Sequence, residues 1–188
     1  MRTVIYSMSV SLDGFTAGPG GDIGWTAPDE EQFRFHVQQT RHIGVELMGR
    51  GLYGAMLVWG DADAAPSGPD ELEFARIWNA IPKVVFSTTL GEVQGHARLA
   101  SGDVADEVTK LREAPGDGVI SVGGPGLAAT LINLDLIDEY RLFVRPVVLG
   151  AGTPYFPALD RRIELELLET RTFPSQTAYL RYRRVPRA

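Results

Sequence analysis

The sequence predicts an α/β fold, and three observations carry that prediction. Apolar strand-like segments alternate with amphipathic helix-like ones from the start, long strand-like runs fill the last third, and a glycine pair separates a strand-like from a helix-like segment in residues 121–127. Residues 3–11 alternate, with Val4, Tyr6, Met8 and Val10 on one face and Ser7, Ser9 and Ser11 on the other. Asp13-Gly14 turns the chain, and residues 18–22 form a flexible loop ending in Ile23-Gly24-Trp25. Residues 28–42 read as a helix: Phe33, Val37 and Thr40 follow an apolar stripe, and Asp29, Glu30 and Glu31 sit at its positive end. Residues 45–48 form a buried strand that ends at Gly49-Arg50-Gly51, followed by a short helical piece to Trp59 and a loop over residues 60–69.

A helix over residues 72–79 leads into the strand 83–87. Val104, Val108 and Leu111 mark another amphipathic helix, and Gly116-Asp117-Gly118 turns into a strand over residues 118–122. Leu127, Leu131 and Ile132 then fall at helical spacing behind Pro125, which suits a first helical position. Residues 140–149, 163–173 and 178–185 read as antiparallel strands, joined by Gly150-Ala151-Gly152-Thr153-Pro154 and Pro174-Ser175-Gln176.

With 188 residues, 44% of them hydrophobic, the chain has material for one core, and without a repeat or composition shift residues 1–188 are expected to form a single domain. A formal net charge of −6 disfavours a nucleic-acid partner, and Arg181, Arg183, Arg184 and Arg187 read as a solvated strand end. No apolar run approaches the roughly 20 residues of a membrane span, and Met1-Arg2-Thr3 leads directly into strand-like sequence, so a cytoplasmic protein is expected. The absence of cysteine excludes disulfides, thiolate metal sites and a cysteine nucleophile, while His36, His42 and His96 lack ligand spacing; no metal is expected.

Open α/β sheets bind ligands outside the carboxyl ends of their strands, so Gly49-Arg50, Ser87-Thr88 and Gly123-Gly124 fall where they can line one crevice. Arg50 offers a charged fork, Ser87 and Thr88 offer hydroxyls, and the glycine pair offers backbone donors at a helix start, which is the chemistry of a phosphate-bearing cofactor. Taken singly, each also reads as an ordinary turn or surface residue.

The segments Leu47-Met48-Gly49-Arg50, Val84-Val85-Phe86-Ser87-Thr88-Thr89 and Val122-Gly123-Gly124-Pro125-Gly126-Leu127 resemble, in this order, the cofactor segments of the dihydrofolate reductase superfamily. Residues 11–17 and 145–156 look more like the branch that contains the reductase domain of riboflavin biosynthesis. The resemblance implies a mixed, mainly parallel sheet flanked by helices with a C-terminal antiparallel hairpin, and NADPH as hydride donor. It implies Gly49 and Arg50 at the adenosine-side phosphates, Ser87 and Thr88 near the 2′-phosphate or ribose, and Gly123, Gly124, Pro125, Gly126 and Leu127 along the pyrophosphate. One departure is Leu52, which stands where the family commonly has threonine; Arg50, Ser87 and Thr88 keep NADPH ahead of NADH.

Trp25, Pro28 and Glu30 reproduce the family's spacing of loop tryptophan, proline and acid, which makes Glu30 the first candidate proton donor, in a closed apolar pocket that raises its pKa. Asp13 is the rival, and Asp13, Trp25 and Glu30 are the implied substrate contacts; as ordinary residues Asp13 is a turn aspartate and Glu30 a helix-start charge. Ile81 stands where dihydrofolate reductases clamp substrate with arginine. The expected activity is NADPH-dependent reduction of a C=N or C=O bond in a small planar heterocycle or its ribosyl derivative. The alternatives are the uracil reductase step of riboflavin biosynthesis, with Arg141 or Arg145 receiving the substrate phosphate, dihydrofolate reduction, and nucleotide binding without turnover. A homodimer through the long C-terminal strands is also expected, by family analogy.

Overall fold

The computed structural model describes residues 1–60 and 68–186, so most of the loop expected at residues 60–69 lies outside the described residues. Its frame is an eight-stranded sheet. The strands are β1 (Val4–Ser11), β2 (Phe15–Ala17), β3 (Ile43–Gly49), β4 (Lys83–Phe86), β5 (Ala97–Leu99), β6 (Val119–Gly123), β7 (Glu139–Arg145), β8 (Thr153–Pro154), β9 (Leu165–Thr172) and β10 (Ala178–Arg184). The large sheet runs in the order β5-β4-β3-β6-β1-β7-β10-β9, while β2 and β8 form a separate two-stranded ribbon. All pairs from β5 to β7 are parallel, and β10 runs antiparallel to both β7 and β9. The sheet is therefore mixed and mainly parallel, with the C-terminal antiparallel hairpin at one edge.

Among the described residues five α-helices, α1 (Glu30–Thr40), α2 (Arg50–Met56), α3 (Pro69–Ala80), α4 (Val104–Glu113) and α5 (Pro125–Asn133), cover the two faces. Their starts follow local chemistry. Asp29 caps α1 by accepting from the Gln32 amide, and Asp103 caps α4 by accepting from the Asp106 amide. Pro69 and Pro125 occupy first-turn positions, where a missing N–H costs nothing. On one face the alternate residues Val4, Tyr6, Val45, Leu47, Val84, Ile120 and Val122 pack with Val108, Ala128, Leu131 and Ile132 of α4 and α5. On the other, Met48 and Val85 meet Val37, Tyr53, Phe74 and Trp78, while Phe143, Phe173 and Tyr179 close around Phe35.

Two strand boundaries and three short strands depart from the sequence expectation. The strand foreseen over residues 140–149 stops at Arg145 because Pro146 cannot donate to a ladder; Val147 instead accepts from the Leu12 amide. The strand foreseen from residue 163 starts at Leu165, and its register with β10 shifts between Arg181 and Tyr182. The strands β2, β5 and β8 are two or three residues long, too short for a period to be legible.

Candidate functional site

The site follows from unequal strand lengths. Gly49 is level with Phe86 and Met48 with Gly123, so β4, β3 and β6 leave the sheet within about one residue of each other. Their exits, Ser87-Thr88, Arg50 and Gly124, thus stand side by side at the ~4.8 Å strand spacing. The neighbouring β1 is level with β6 at Tyr6 and Val122 but continues to Ser11, paired only with β7. A step of roughly 13 Å results, at ~3.3 Å per residue. The glycine turn forms its floor and the β1–β7 pair its wall.

The floor is open and cationic. A side chain added at Gly49, Gly51 or Gly126 would meet no atom within 4 Å, and Gly124 has a φ of 91°, the region glycine alone occupies easily. Gly124 caps α5, whose first turn presents free amides. Arg50 is exposed at the start of α2, with Gly49 as its cap. Thr88 is exposed beside it, whereas the Ser87 hydroxyl accepts from the amides of Thr89 (3.1 Å) and Leu90 (3.0 Å) and so shapes its own turn. Leu52 reaches back from α2 over Gly123, filling the space that a side chain there would need. Glycine, arginine, hydroxyl and helix start together fit a dinucleotide's phosphates.

The wall is fixed by a polar network that the sequence reading missed. Arg145 donates to Gln32 Oε1 (3.0 Å), Thr177 Oγ1 (2.8 Å) and the Ala27 carbonyl (2.8 Å), while Asp29 accepts from the Ser175 amide (2.8 Å). Gln32, buried, also meets His36 (3.1 Å), whose pKa falls to about 4 through burial and the nearby Arg145 charge. Arg141 is likewise buried, held by Gln39 (2.5 Å) and Glu139 (3.2 Å). Both arginines thus already donate to groups of the protein, Arg141 to Gln39 across 102 positions and Arg145 to Gln32 across 113, partners that their neighbours in sequence do not announce.

The two candidate acids are also placed otherwise than expected. Glu30 does not sit in an apolar pocket; its side chain is 79% exposed and ion-paired with Arg34 one turn along α1. Asp13 accepts from the amides of Leu149 (3.1 Å) and Gly150 (2.7 Å), and its hydrogen bonds, led by that of Ser11, hold it below the usual aspartate range. It ties the turn after β1 to the loop before β8. Trp25 is half-buried and gives its indole N–H to the Asp22 carbonyl (3.1 Å), anchoring its own loop. Ile81 is buried in the α3 side of the core, so no carboxylate clamp stands there.

A cavity of about 790 Å³ lies away from this step, under α2 and α3, lined among others by Tyr53, Trp78, Lys83 and His96. The step combines the exposed Arg50 with the glycine turn and a helix start, whereas the Lys83 ammonium in the cavity lining is held by the carbonyls of Trp78 and Ile81. Among the described residues no group of three or more His, Asp or Glu side chains is placed to hold a metal, and no helix is long and apolar enough to cross a membrane.

An eight-stranded sheet of this order, with a glycine turn and arginine at the carboxyl edge, defines a dihydrofolate reductase-like fold. Residues 2–179 match the RibD C-terminal domain, and the chain belongs to that family. It is 36% identical over 183 residues to the uncharacterized protein YyaP of Bacillus subtilis (strain 168), covering 96% of this chain and 94% of the relative. Among solved structures it resembles a Shewanella sp. PV-4 protein assigned to riboflavin biosynthesis (TM-score 0.77, 23% identity, 99% of this chain and 100% of that one). It also resembles the Thermotoga maritima diaminohydroxyphosphoribosylaminopyrimidine deaminase/5-amino-6-(5-phosphoribosylamino)uracil reductase (TM-score 0.64, 18% identity). That match covers 98% of this chain but 57% of the Thermotoga chain.

Proposed function

We propose that this protein is an NADPH-dependent reductase acting on a C=N or C=O bond of a small planar heterocycle or its ribosyl derivative. The observation that carries the reading is the common level at which β3, β4 and β6 end, which brings Arg50, Thr88 and the glycine turn onto one floor in a RibD C-terminal domain. Arg50 and Thr88 take the 2′-phosphate, and residues 123–127 take the pyrophosphate against the start of α5. When bound, NADPH supplies the hydride. The β1–β7 wall orients the acceptor above that floor, and Asp13 and Arg145 hold the wall by spending their charges on the protein itself. The proton comes from water, because Asp13 is kept ionised and Glu30 is exposed and paired.

The placement of those two carboxyls also supports a second reading, nucleotide binding without turnover. A 5-phosphoribosylamino substrate, as in the Thermotoga reductase, is less favoured because Arg141 and Arg145 are both engaged. We further propose a homodimer through the edge strand β9, which exposes Leu167 and Leu168; sedimentation as a monomer at every concentration would refute it. The primary test is fluorescence titration with NADPH and NADH, for the native protein and Arg50→Ala. NADPH binding weakened about 10–100-fold by the substitution is expected, the cost of charge-assisted hydrogen bonds. Failure of both cofactors to bind removes both nucleotide readings. NADPH oxidation by heterocyclic substrates then separates the reductase from the binder.

A further inference from the structure

The glycine turn rests on an ionisable group. Lys83 on β4, Glu46 on β3 and Ser121 on β6 are register partners across three neighbouring strands, a buried polar row beside Met48, Val85 and Trp78. Lys83 directs its ammonium to the carbonyls of Trp78 (2.5 Å) and Ile81 (2.7 Å) and lies 4.7 Å from the centre of the Trp78 ring. Glu46, 4% exposed, instead points beneath the turn: its Oε1 lies 2.7 Å from where a Cβ on Gly123 would be. Lys83 faces it from β4, Ser121 from β6 and the apolar Leu52 shares the space from α2. The first two favour the carboxylate, but burial outweighs them and lifts the group to about 7.

The other side of this turn carries the amides that the proposed function gives to a pyrophosphate. Two negative charges would there be separated by little more than one backbone layer, where screening is weak. We propose that Glu46 is the protonation partner of the anion site at residues 123–126: an anionic cofactor is held with Glu46 neutral, so binding draws one proton from solvent onto a Glu46 carboxylate oxygen. This rests on, and deepens, the cofactor reading of the floor. Affinity then falls as pH rises through and beyond neutrality, where Glu46 must be reprotonated on binding. A repulsion that moves the Glu46 protonation equilibrium by about one pH unit is enough for a roughly tenfold change in affinity across the range.

The test is calorimetric titration of the full chain with NADH and NADPH, from about pH 6 to about pH 9, in buffers of different ionisation enthalpy. NADH carries no phosphate monoester, so no proton uptake arises from a 2′-phosphate. The native protein is expected to take up a proton on binding near neutral pH and to lose at least about tenfold in affinity across the range. Glu46→Gln is expected to bind with a flat profile and no such uptake; Ser121→Ala, lacking the hydroxyl that favours the carboxylate, is expected to move the fall to higher pH. Equal slopes and proton uptake in native and Glu46→Gln protein overturn the proposal while leaving the cofactor site standing. If Glu46→Gln does not fold, an unchanged profile in Ser121→Ala overturns it. Absence of binding to either cofactor at every pH overturns the cofactor reading, and this proposal with it.

Discussion

Gly123 and Leu52 offer a test of whether the floor is built as described. A Cβ on Gly123 would collide with Leu52 Cδ2 and lie 2.7 Å from Glu46 Oε1, well inside contact distance. Both atoms end flexible side chains, but Glu46 is buried and Leu52 is packed against the Tyr53–Trp78 cluster, so neither withdraws freely. The backbone at Gly123 is ordinary strand, hence the cost of Gly123→Ala is overpacking alone, about 2 kcal/mol. For a chain of this size that is a fall in Tm of about 4–8 °C. Leu52→Ala alone removes part of a half-buried side chain and costs about 1–2 kcal/mol. The double variant removes the collision, so it is expected to be less destabilised than the sum of the singles by roughly 1 kcal/mol or more. Gly124→Ala is the control. Its Cβ would be in ordinary contact with Leu52 (3.8 Å), but its φ of 91° strains any side chain, and Leu52→Ala brings no relief. Thermal unfolding of the variants followed by circular dichroism measures all of this. Additivity of Gly123→Ala and Leu52→Ala within about 0.3 kcal/mol would refute the packing argument.

Three further outcomes follow from the charges. His36 has a folded pKa of about 4, below its ordinary 6.5, so the unfolded chain binds the extra proton between these values and stability from this group rises with pH there. Glu46 is raised from 4.5 to about 7, so its contribution is full below 4.5 and lost as pH rises through 7. The two slopes oppose each other, and denaturant melts are expected to be nearly flat from about pH 4.5 to 6.5 in the native protein, falling with pH in His36→Gln and rising in Glu46→Gln; parallel profiles for all three would sink the assignment. Glu107, 1% exposed by its side chain, accepts from Arg98 (2.6 and 3.1 Å) and Ser101 (3.0 Å), which depress it to about 2; its stabilisation is present above 4.5 and lost as pH falls to 2. Glu107→Gln is therefore expected to cost up to about 3 kcal/mol at neutral pH and almost nothing near pH 2, and an equal loss at both would contradict the ion-pair account. Asp13→Asn is expected to speed amide exchange at Leu149 and Gly150 with little change in Tm; unchanged exchange there would show that the loop is held by something else.

The sequence revealed the parts of this molecule that are periodic or punctuated. The stripe of Val4, Tyr6, Met8 and Val10, the acid Asp29 at the start of α1, Pro125 in the first turn of α5 and the glycine turn before it are local signals, and each stands where it was expected. The level at which β3, β4 and β6 end was reachable too, because parallel strands of similar length leave a sheet on one side. What remained hidden depends on partners far along the chain. Arg145 meets Gln32 across 113 positions, Asp13 meets Gly150 across 137, and neither residue's neighbours in sequence announce the match. Glu46 had no visible role for the opposite reason: an acid inside a buried strand contradicts the apolar pattern, and only the register with Lys83 and Ser121 gives it surroundings.

The extra length of β1 and β7 is what turns a sheet edge into a site. Had β6 run as far as β1, its backbone would pair with Met8 to Val10 and the step would close; the glycine pair ends β6 at Gly123, and Pro125 commits the chain to helix immediately after. The tall side then has no sheet neighbour on its inner edge and needs another support. Arg145 and Asp13 supply it from opposite directions, one gripping the chain before α1 and the β9–β10 turn, the other the loop before β8. Charge has thus been divided between the two levels. On the tall side it is consumed in holding shape, and on the floor Arg50 is left facing solvent.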